Sequence, residues 1–494
     1  MVAVTKGPST PRLPFVSKSL PRCLPIDKDV DPGAVLAFVE AIDADESTEL
    51  HSLMVLRHGH VVAEGWWAPH TPERPRLLYS LTKSFSSTAL GIAVGEGLVD
   101  LDDPVVSYFP EFADEITDPG SRSITLRHVV SMASGHNRDM KDEALQLDPH
   151  EPVRGFLMVP PDEAPGTVFA YSQPCTYTVG SVIQRAAGCT LSEYLRPRLF
   201  DPLGIGEVGW LTWPPGREQA FSGLFARTED IAKLGILYLQ KGRWEDTQLI
   251  PEHYVTQATS RQIDTPGETN PDWSQGYGFQ FWMSRHGYRG DGGYGQFCVV
   301  LPEQDAVIAI TGGTEAMQAV LDHLWVHLLP GFNPGTLDNG AQPALEARLR
   351  NLALPACVTQ HSSPPSQNWY EQPFRVTPRA QPQPGSSWLT SVSVRRADER
   401  LEITLAESDN AITFPVGAGR WLTSTPHDLD GDRLPVAASG GWHDDHMLRV
   451  EVIFLETPHR MDITCSLPAR IAETNWRQQP LDAGRLQTMH RPGS

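Results

Sequence analysis

Ser80-Leu81-Thr82-Lys83 sets a hydroxyl and an amine three positions apart. On a helix that spacing puts both on one face, one turn from each other, where an unprotonated lysine accepts the serine proton and frees the oxygen to attack an acyl carbonyl. With 33 Ser and seven Lys among 494 residues, chance alone supplies roughly half such a pair in a sequence of this composition. The plain alternative is a serine N-cap followed by an ordinary exposed lysine. What surrounds the pair therefore decides its meaning.

The surroundings place it well. Leu53 to Trp67 reads as two strands hinged at His58-Gly59-His60. From Leu81 to Glu96 the residues Phe85, Ala89, Ile92 and Ala93 recur at helical spacing, and Gly97 stops the run. Ser80 thus opens a helix just after a strand pair, where the helix N-terminus favours an anion and a backbone N–H can hold an oxyanion.

Other helices are predicted at Asp31 to Ala44, Thr125 to Ser134, Thr176 to Ala187, Thr228 to Gln240 and Thr314 to Leu329, with a capping-box spacing at Thr190 and Glu193. Gln296 to Leu301 and Ala306 to Thr311 are apolar strand-like runs joined by Pro302-Glu303-Gln304-Asp305. Strands, then helices, then strands and a last helix predict an α+β domain: an antiparallel sheet flanked by helices, with a helical subdomain. We divide the chain into a lead at 1–30, this domain at 31–330, a linker-like Pro-, Gln- and Ser-rich segment at 331–387, and a small all-β domain at 388–494. In that last part Ser391 to Arg396, Leu401 to Ala406, Ala411 to Val416, Met447 to Glu456 and Met461 to Leu467 read as strands.

Composition narrows the function. Lys+Arg 40 against Asp+Glu 60 leaves a net charge of -20 with no basic run, which argues against nucleic acid as a partner. The first 23 residues mix Pro with basic residues and lack the apolar segment of a secretory signal, and no later stretch is apolar enough to span a bilayer. The expectation is a cytoplasmic protein with no membrane association. Six scattered cysteines without paired spacing fit reduced thiols.

Several motifs recur in a telling order: Ser80-Leu81-Thr82-Lys83, Gly97-Leu98-Val99-Asp100-Leu101-Asp102-Asp103-Pro104, Ile124-Thr125-Leu126-Arg127-His128, and Ser134-Gly135. They are followed by Pro165-Gly166-Thr167, Tyr171-Ser172, Ser222-Gly223-Leu224, Gly276-Tyr277-Gly278 and Gly295-Gln296. This series, over roughly residues 45 to 330, resembles the class C β-lactamase, penicillin-binding-protein-like and esterase family of serine hydrolases. The resemblance implies that Tyr171, heading Tyr171-Ser172-Gln173, shuttles protons to the leaving group beside Ser80 and Lys83, a role that a nearby ammonium helps by lowering the phenol pKa. Gln173 stands where the family has Asn, on a longer arm, as a substrate contact. Asp291-Gly292-Gly293 falls where the family's Lys-Thr-Gly lies, exchanging a cation for an acid unless Arg289 or His286 reaches in. Gly292 and Gly293 would let substrate lie close to the strand, with an N–H near Tyr294 as a second oxyanion donor.

Two further clusters read as loops rather than metal sites: His443-Asp444-Asp445-His446 beside Gly440 and Gly441, and Asp428-Leu429-Asp430-Gly431-Asp432, where Ser439 stands in place of an EF-hand's bidentate Glu. The resulting expectation is a cofactor-free serine hydrolase acting on a small-molecule ester or amide through an acyl-Ser80 intermediate. Two alternatives stay open: β-lactamase or D-Ala-D-Ala peptidase activity, and a non-catalytic binding protein on the same fold.

Overall fold

The computed structural model describes residues 19–332, 334–335, 339–361, 367–377, 388–397, 400–481 and 484–492. Most of the predicted lead, and the Pro- and Ser-rich pieces at 362–366 and 378–387, lie outside the described residues.

Helix α1 (Pro32–Ala44) starts behind Asp31, whose carboxylate accepts the Gly33 N–H, and buries Val35, Phe38, Val39 and Ile42 along one stripe. The hairpin β1 (Leu50–Arg57) and β2 (His60–Trp66) follows. Next come α2 (Thr82–Gly95), α3 (Gln173–Ala187) and α4 (Thr228–Leu239). Strands β3 (Trp282–Met283), β4 (Tyr288–Gly292), β5 (Gln296–Leu301) and β6 (Ala306–Gly312) then complete an antiparallel sheet in the order β2-β1-β6-β5-β4-β3. Helix α5 (Met317–His323) closes this part.

Alternation along the strands divides the core in two. Met54, Leu56, Cys298, Val300, Val307 and Ala309 join the core that contains α2 and α4, whereas Leu53, Val55, Phe297, Val299, Ile308 and Ile310 pack with α1 and the chain after Met317. Covered on both faces, these antiparallel strands read as unbroken apolar runs, a pattern more usual of parallel sheets. Gly235 lets α4 come close: a Cβ there would lie 2.4 Å from Val307 Cγ1 and 3.0 Å from Cys298 Sγ.

Helix α2 is buried from Thr82 to Ala93. Its polar side chains survive burial because each is bonded: Ser84 to the Gln280 carbonyl at 2.9 Å, Ser86 to the Ala220 carbonyl at 2.8 Å, and Ser87 and Thr88 to the Tyr254 and Tyr238 hydroxyls at 3.0 Å. Elsewhere the helices depart from expectation at their ends. Thr125 caps a helix of only Leu126–Val130, because Met132 turns into the left-handed region at φ 58. Helix α3 begins at Gln173, earlier than predicted, with Pro174 in its first turn.

The segment read as connecting carries structure of its own. Helix Gln342–Arg350 lays Leu345 into the α1 core, and Leu349 and Leu352 pack over Gly65. Beyond it, nine strands form one sheet: β7 (Phe374–Val376), β8 (Ser391–Ala397), β9 (Arg400–Ala406), β10 (Ala411–Val416), β11 (Leu422–Ser424), β12 (Val436–Trp442), β13 (Met447–Phe454), β14 (Arg460–Ser466) and β15 (Ile471–Trp476). Their order is β10-β9-β8-β7-β15-β14-β13-β12-β11, and a bridge from Gly417 to Ser439 brings the ends together into a near-barrel. Inward residues such as Val392, Ile403, Leu405, Phe414, Val450 and Ile463 fill it around Trp369 and Trp442.

The barrel is docked on the first domain. Leu77 N–H donates to the Glu456 carbonyl at 2.8 Å, Arg460 pairs with Glu49 at 3.0 Å, and Ala437, Ile453 and Leu455 share the α1 core. No helix among the described residues is long and apolar enough to cross a membrane.

Candidate active site

Ser80 lies in a 3-10 turn, Tyr79–Leu81, that runs directly into α2. Lys83, one turn on, points its amine back at it, with Nζ 2.9 Å from Ser80 Oγ. Nζ also donates to Gln173 Oε1 and to the Phe221 carbonyl, both at 2.8 Å, so its three hydrogen-bond positions are filled and its direction is set. The residue is 1% exposed. Burial lowers its pKa to about 7, against the pull of Asp139 and Asp291, so a large fraction is neutral at physiological pH and carries the lone pair that a base needs.

Tyr171 precedes Ser172, the N-cap of α3, and its hydroxyl bonds to Ser80. The ring stacks on Trp282 at 5.6 Å and meets Tyr277 edge-on. Lys83 Nζ lies 4.9 Å from the ring centroid, over the face. The expected depression of the phenol pKa by an ammonium is therefore reversed: burial first, then the charge of Asp291, raises it, and Tyr171 stays protonated.

Gln173, expected as a substrate contact, accepts a hydrogen bond from Lys83 Nζ on its amide oxygen. Its own N–H donates to Asp139 Oδ1 at 2.9 Å. Asp291 does occupy the strand position predicted from the motif, at the end of β4, but it faces Arg289, with Nη2 and Nε at 3.0 and 3.1 Å from Oδ2. Arg289 is fully buried, lies over the Trp273 ring at 4.2 Å, and donates to the Asp272 carbonyl and to Ser284 Oγ. It does not reach in as a free cation, and His286 lies against Trp325. Burial shifts both members of the pair toward neutrality, raising Asp291 and lowering Arg289.

Gly292 and Gly293 bring the end of β4 onto the turn that carries Ser80. A Cβ on Gly292 would fall 2.1 Å from the Leu78 carbonyl oxygen and 3.1 Å from Ser80 N, so the strand and the Ser80 amide bound one small space. Gly290 meets Ser84 in the same way. Tyr294, at φ 66 on the turn after β4, directs its hydroxyl to the Gln479 carbonyl of the C-terminal domain.

Sequence reasoning missed three contributors. Asp139 caps Gln173 and Lys141 from a loop, Phe221 offers only a backbone carbonyl, and Trp282 supplies the face on which Tyr171 stacks. None has a motif of its own, though Phe221 adjoins Ser222-Gly223-Leu224 and Asp139 opens the loop after Ser134-Gly135. The other motifs brace the frame: Arg127 is bidentate to Asp102, and Gly166 passes against the His128 ring. In the barrel, Asp428, Asp432 and His490 converge with ligand atoms within 4.8 Å of one another. Asp428 there accepts the Asp430 and Asp432 N–H groups and Asn410 Nδ2, as a loop-bracing carboxylate does.

A family model described as Beta-lactamase matches residues 37–322. The 6-aminohexanoate-dimer hydrolase of Paenarthrobacter ureafaciens is 26% identical over 285 residues, covering 53% of this chain and 72% of that protein. Esterase EstB of Burkholderia gladioli is 27% identical over 188 residues, 33% of this chain and 47% of its own length. Among solved structures, EstCE1, a hydrolase with promiscuous acyltransferase activity, shares the fold at a TM-score of 0.50 and 16% identity, over 59% of this chain and 98% of that one. With the sheet, the central helix and the family match in agreement, the chain belongs to the β-lactamase family of serine hydrolases.

Proposed function

We propose that the protein cleaves a neutral ester or amide by two-step acyl transfer on Ser80. The observation that carries this reading is the buried Lys83 amine, 2.9 Å from Ser80 Oγ with a pKa lowered to about 7. In the first step Lys83 takes the Ser80 proton as Oγ attacks the carbonyl. Negative charge develops on the substrate oxygen near the Ser80 amide and the end of β4. Tyr171, held as a neutral phenol, gives its proton to the leaving alkoxide or amine, and the resulting phenolate takes one back from the Lys83 ammonium. In the second step water attacks the acyl-enzyme while Lys83 accepts its proton, and Lys83 then returns that proton to Ser80 Oγ as the acid product leaves.

The substrate class follows from charge. A β-lactam or a D-Ala-D-Ala end presents a carboxylate, and the position that a cation takes in the matching motif is occupied by Asp291, paired with Arg289. Relatives named as an esterase and as an aminohexanoate-dimer hydrolase support ester or amide cleavage. The test is intact mass after a phosphonate, on wild type and Ser80→Ala, followed by a panel of nitrophenyl esters, amides and a chromogenic cephalosporin. One phosphonyl adduct on wild type and none on Ser80→Ala is expected, with esters or amides turned over faster than the cephalosporin. A wild-type mass left unchanged would overturn the catalytic reading in favour of a binding protein, and cephalosporin turnover far above the esters would make it a β-lactamase.

A further inference from the structure

The residue before the nucleophile is held from the other domain. Tyr79 has φ 48, a left-handed conformation that a bulky side chain adopts only when its surroundings impose it. Its ring packs edge-on against Tyr294 and His459, each at 5.8 Å, and those two meet at 5.7 Å. His459 lies between β13 and β14 of the barrel and is 1% exposed.

The hydrogen bonds assign the protons. His459 Nδ1 is 3.0 Å from the Gln478 carbonyl, which can only accept, so Nδ1 carries the hydrogen. Burial keeps the imidazole neutral, with a pKa lowered to about 3, which leaves Nε2 as an acceptor. The Tyr79 hydroxyl, 2.6 Å away, therefore donates to it. The segment after β15 closes on the same place: Tyr294 donates to the Gln479 carbonyl, and Leu481 Cδ1 lies 3.1 Å from where a Gly293 Cβ would stand. Both elements that bound the Ser80 amide, the Tyr79 turn and the end of β4, are thus tied to the barrel.

We propose that His459 is a positioning residue for the hydrolase reaction, acting through the Tyr79 hydroxyl to hold the Ser80 turn, so that the C-terminal domain is a working part of the active site. This rests on the acyl-Ser80 reading. A buried histidine at a domain contact could serve packing alone; the difference is that its Nε2 accepts from the side chain next to Ser80, in a backbone conformation that needs holding.

The test uses the full chain as wild type, Tyr79→Phe, His459→Phe, the double variant and His459→Gln. It reads the rate constant for phosphonate labelling, kcat and KM on a nitrophenyl ester, and the melting temperature. Each single variant is expected to label and turn over about 10-fold more slowly with KM little changed, the scale of loss when a nucleophile sits slightly out of place. The double variant should be no worse than either single one, because both remove the same bond. His459→Gln, which keeps an acceptor, should recover part of the rate. If folded Tyr79→Phe labels at the wild-type rate, or if the two single losses multiply in the double variant, the inference fails. If wild type itself does not label, the acyl-Ser80 reading fails instead.

Discussion

At the scale of single residues, the site turns on one amine whose pKa burial lowers to about 7. Between pH 5 and 9 the kcat/KM of a neutral ester should rise with a midpoint near 7, because the active form needs Lys83 deprotonated and its pKa is about 7; a pH–rate profile without an ionisation in that range would exclude Lys83 as the base. Lys83→Met should lower kcat by about 10²–10⁴-fold while the fold persists. Lys83→Arg should not restore it, since a guanidinium does not give up its proton. The Arg289–Asp291 pair makes a different statement, about stability. Arg289 is 0% exposed, so Asp291→Asn leaves a buried cation without its partner and should cost about 3–5 kcal/mol in denaturant unfolding.

At the scale of elements, function depends on how closely two backbones approach. The end of β4 touches the turn that carries Ser80, and only a glycine permits this at 292. Gly292→Ala would put a methyl 2.1 Å from the Leu78 carbonyl oxygen, and the turn has to move. A loss of about 10²-fold in phosphonate labelling is expected, whereas Gly335→Ala, with nothing within 4 Å of its Cβ, should label like wild type. The central helix shows the complementary design. It is buried all round, and its serines and threonines are tolerated because carbonyls and tyrosine hydroxyls meet them.

For the whole molecule, a buried polar seam joins the domains. Arg76 lies between the imidazoles of His51 and His70 and donates to the Thr457 carbonyl of the barrel, while Arg460 reaches Glu49 and Glu451. Burial, then the charge of Arg76, lowers His51 to about 4 and His70 well below its usual value. The unfolded chain, with histidines near ~6.5, binds more protons than the folded one below that pH. Stability is therefore fully present above about 6.5 and declines as pH falls toward about 4. Denaturant melts at steps between pH 7 and 4 should show this decline, and His51→Gln should flatten it.

Much of the catalytic domain was legible from the residues in order. The Ser80–Lys83 spacing, the strand pair before it and the glycine stops are local signals, set by chain geometry within a few residues. Four barrel strands were not legible. Val436-Ala437-Ala438-Ser439-Gly440-Gly441-Trp442 reads as loop, yet it is fully buried in β12, where Gly440 and Gly441 admit the Arg449 and His361 carbonyls. The segment at 331–387 read as connection because its helix is short and gains its place from packing over Gly65. Sequence by itself determined which residues could react and roughly where the sheet and its helices lie, because periodicity and spacing are properties of neighbours. Tertiary structure alone decided that the Lys83 pKa falls to about 7, that Tyr171 keeps its proton, that Gln173 faces the lysine and Asp291 an arginine, and that the barrel grips the residue before Ser80. Those outcomes depend on burial and on partners up to 380 positions away in the chain, and no local pattern encodes them.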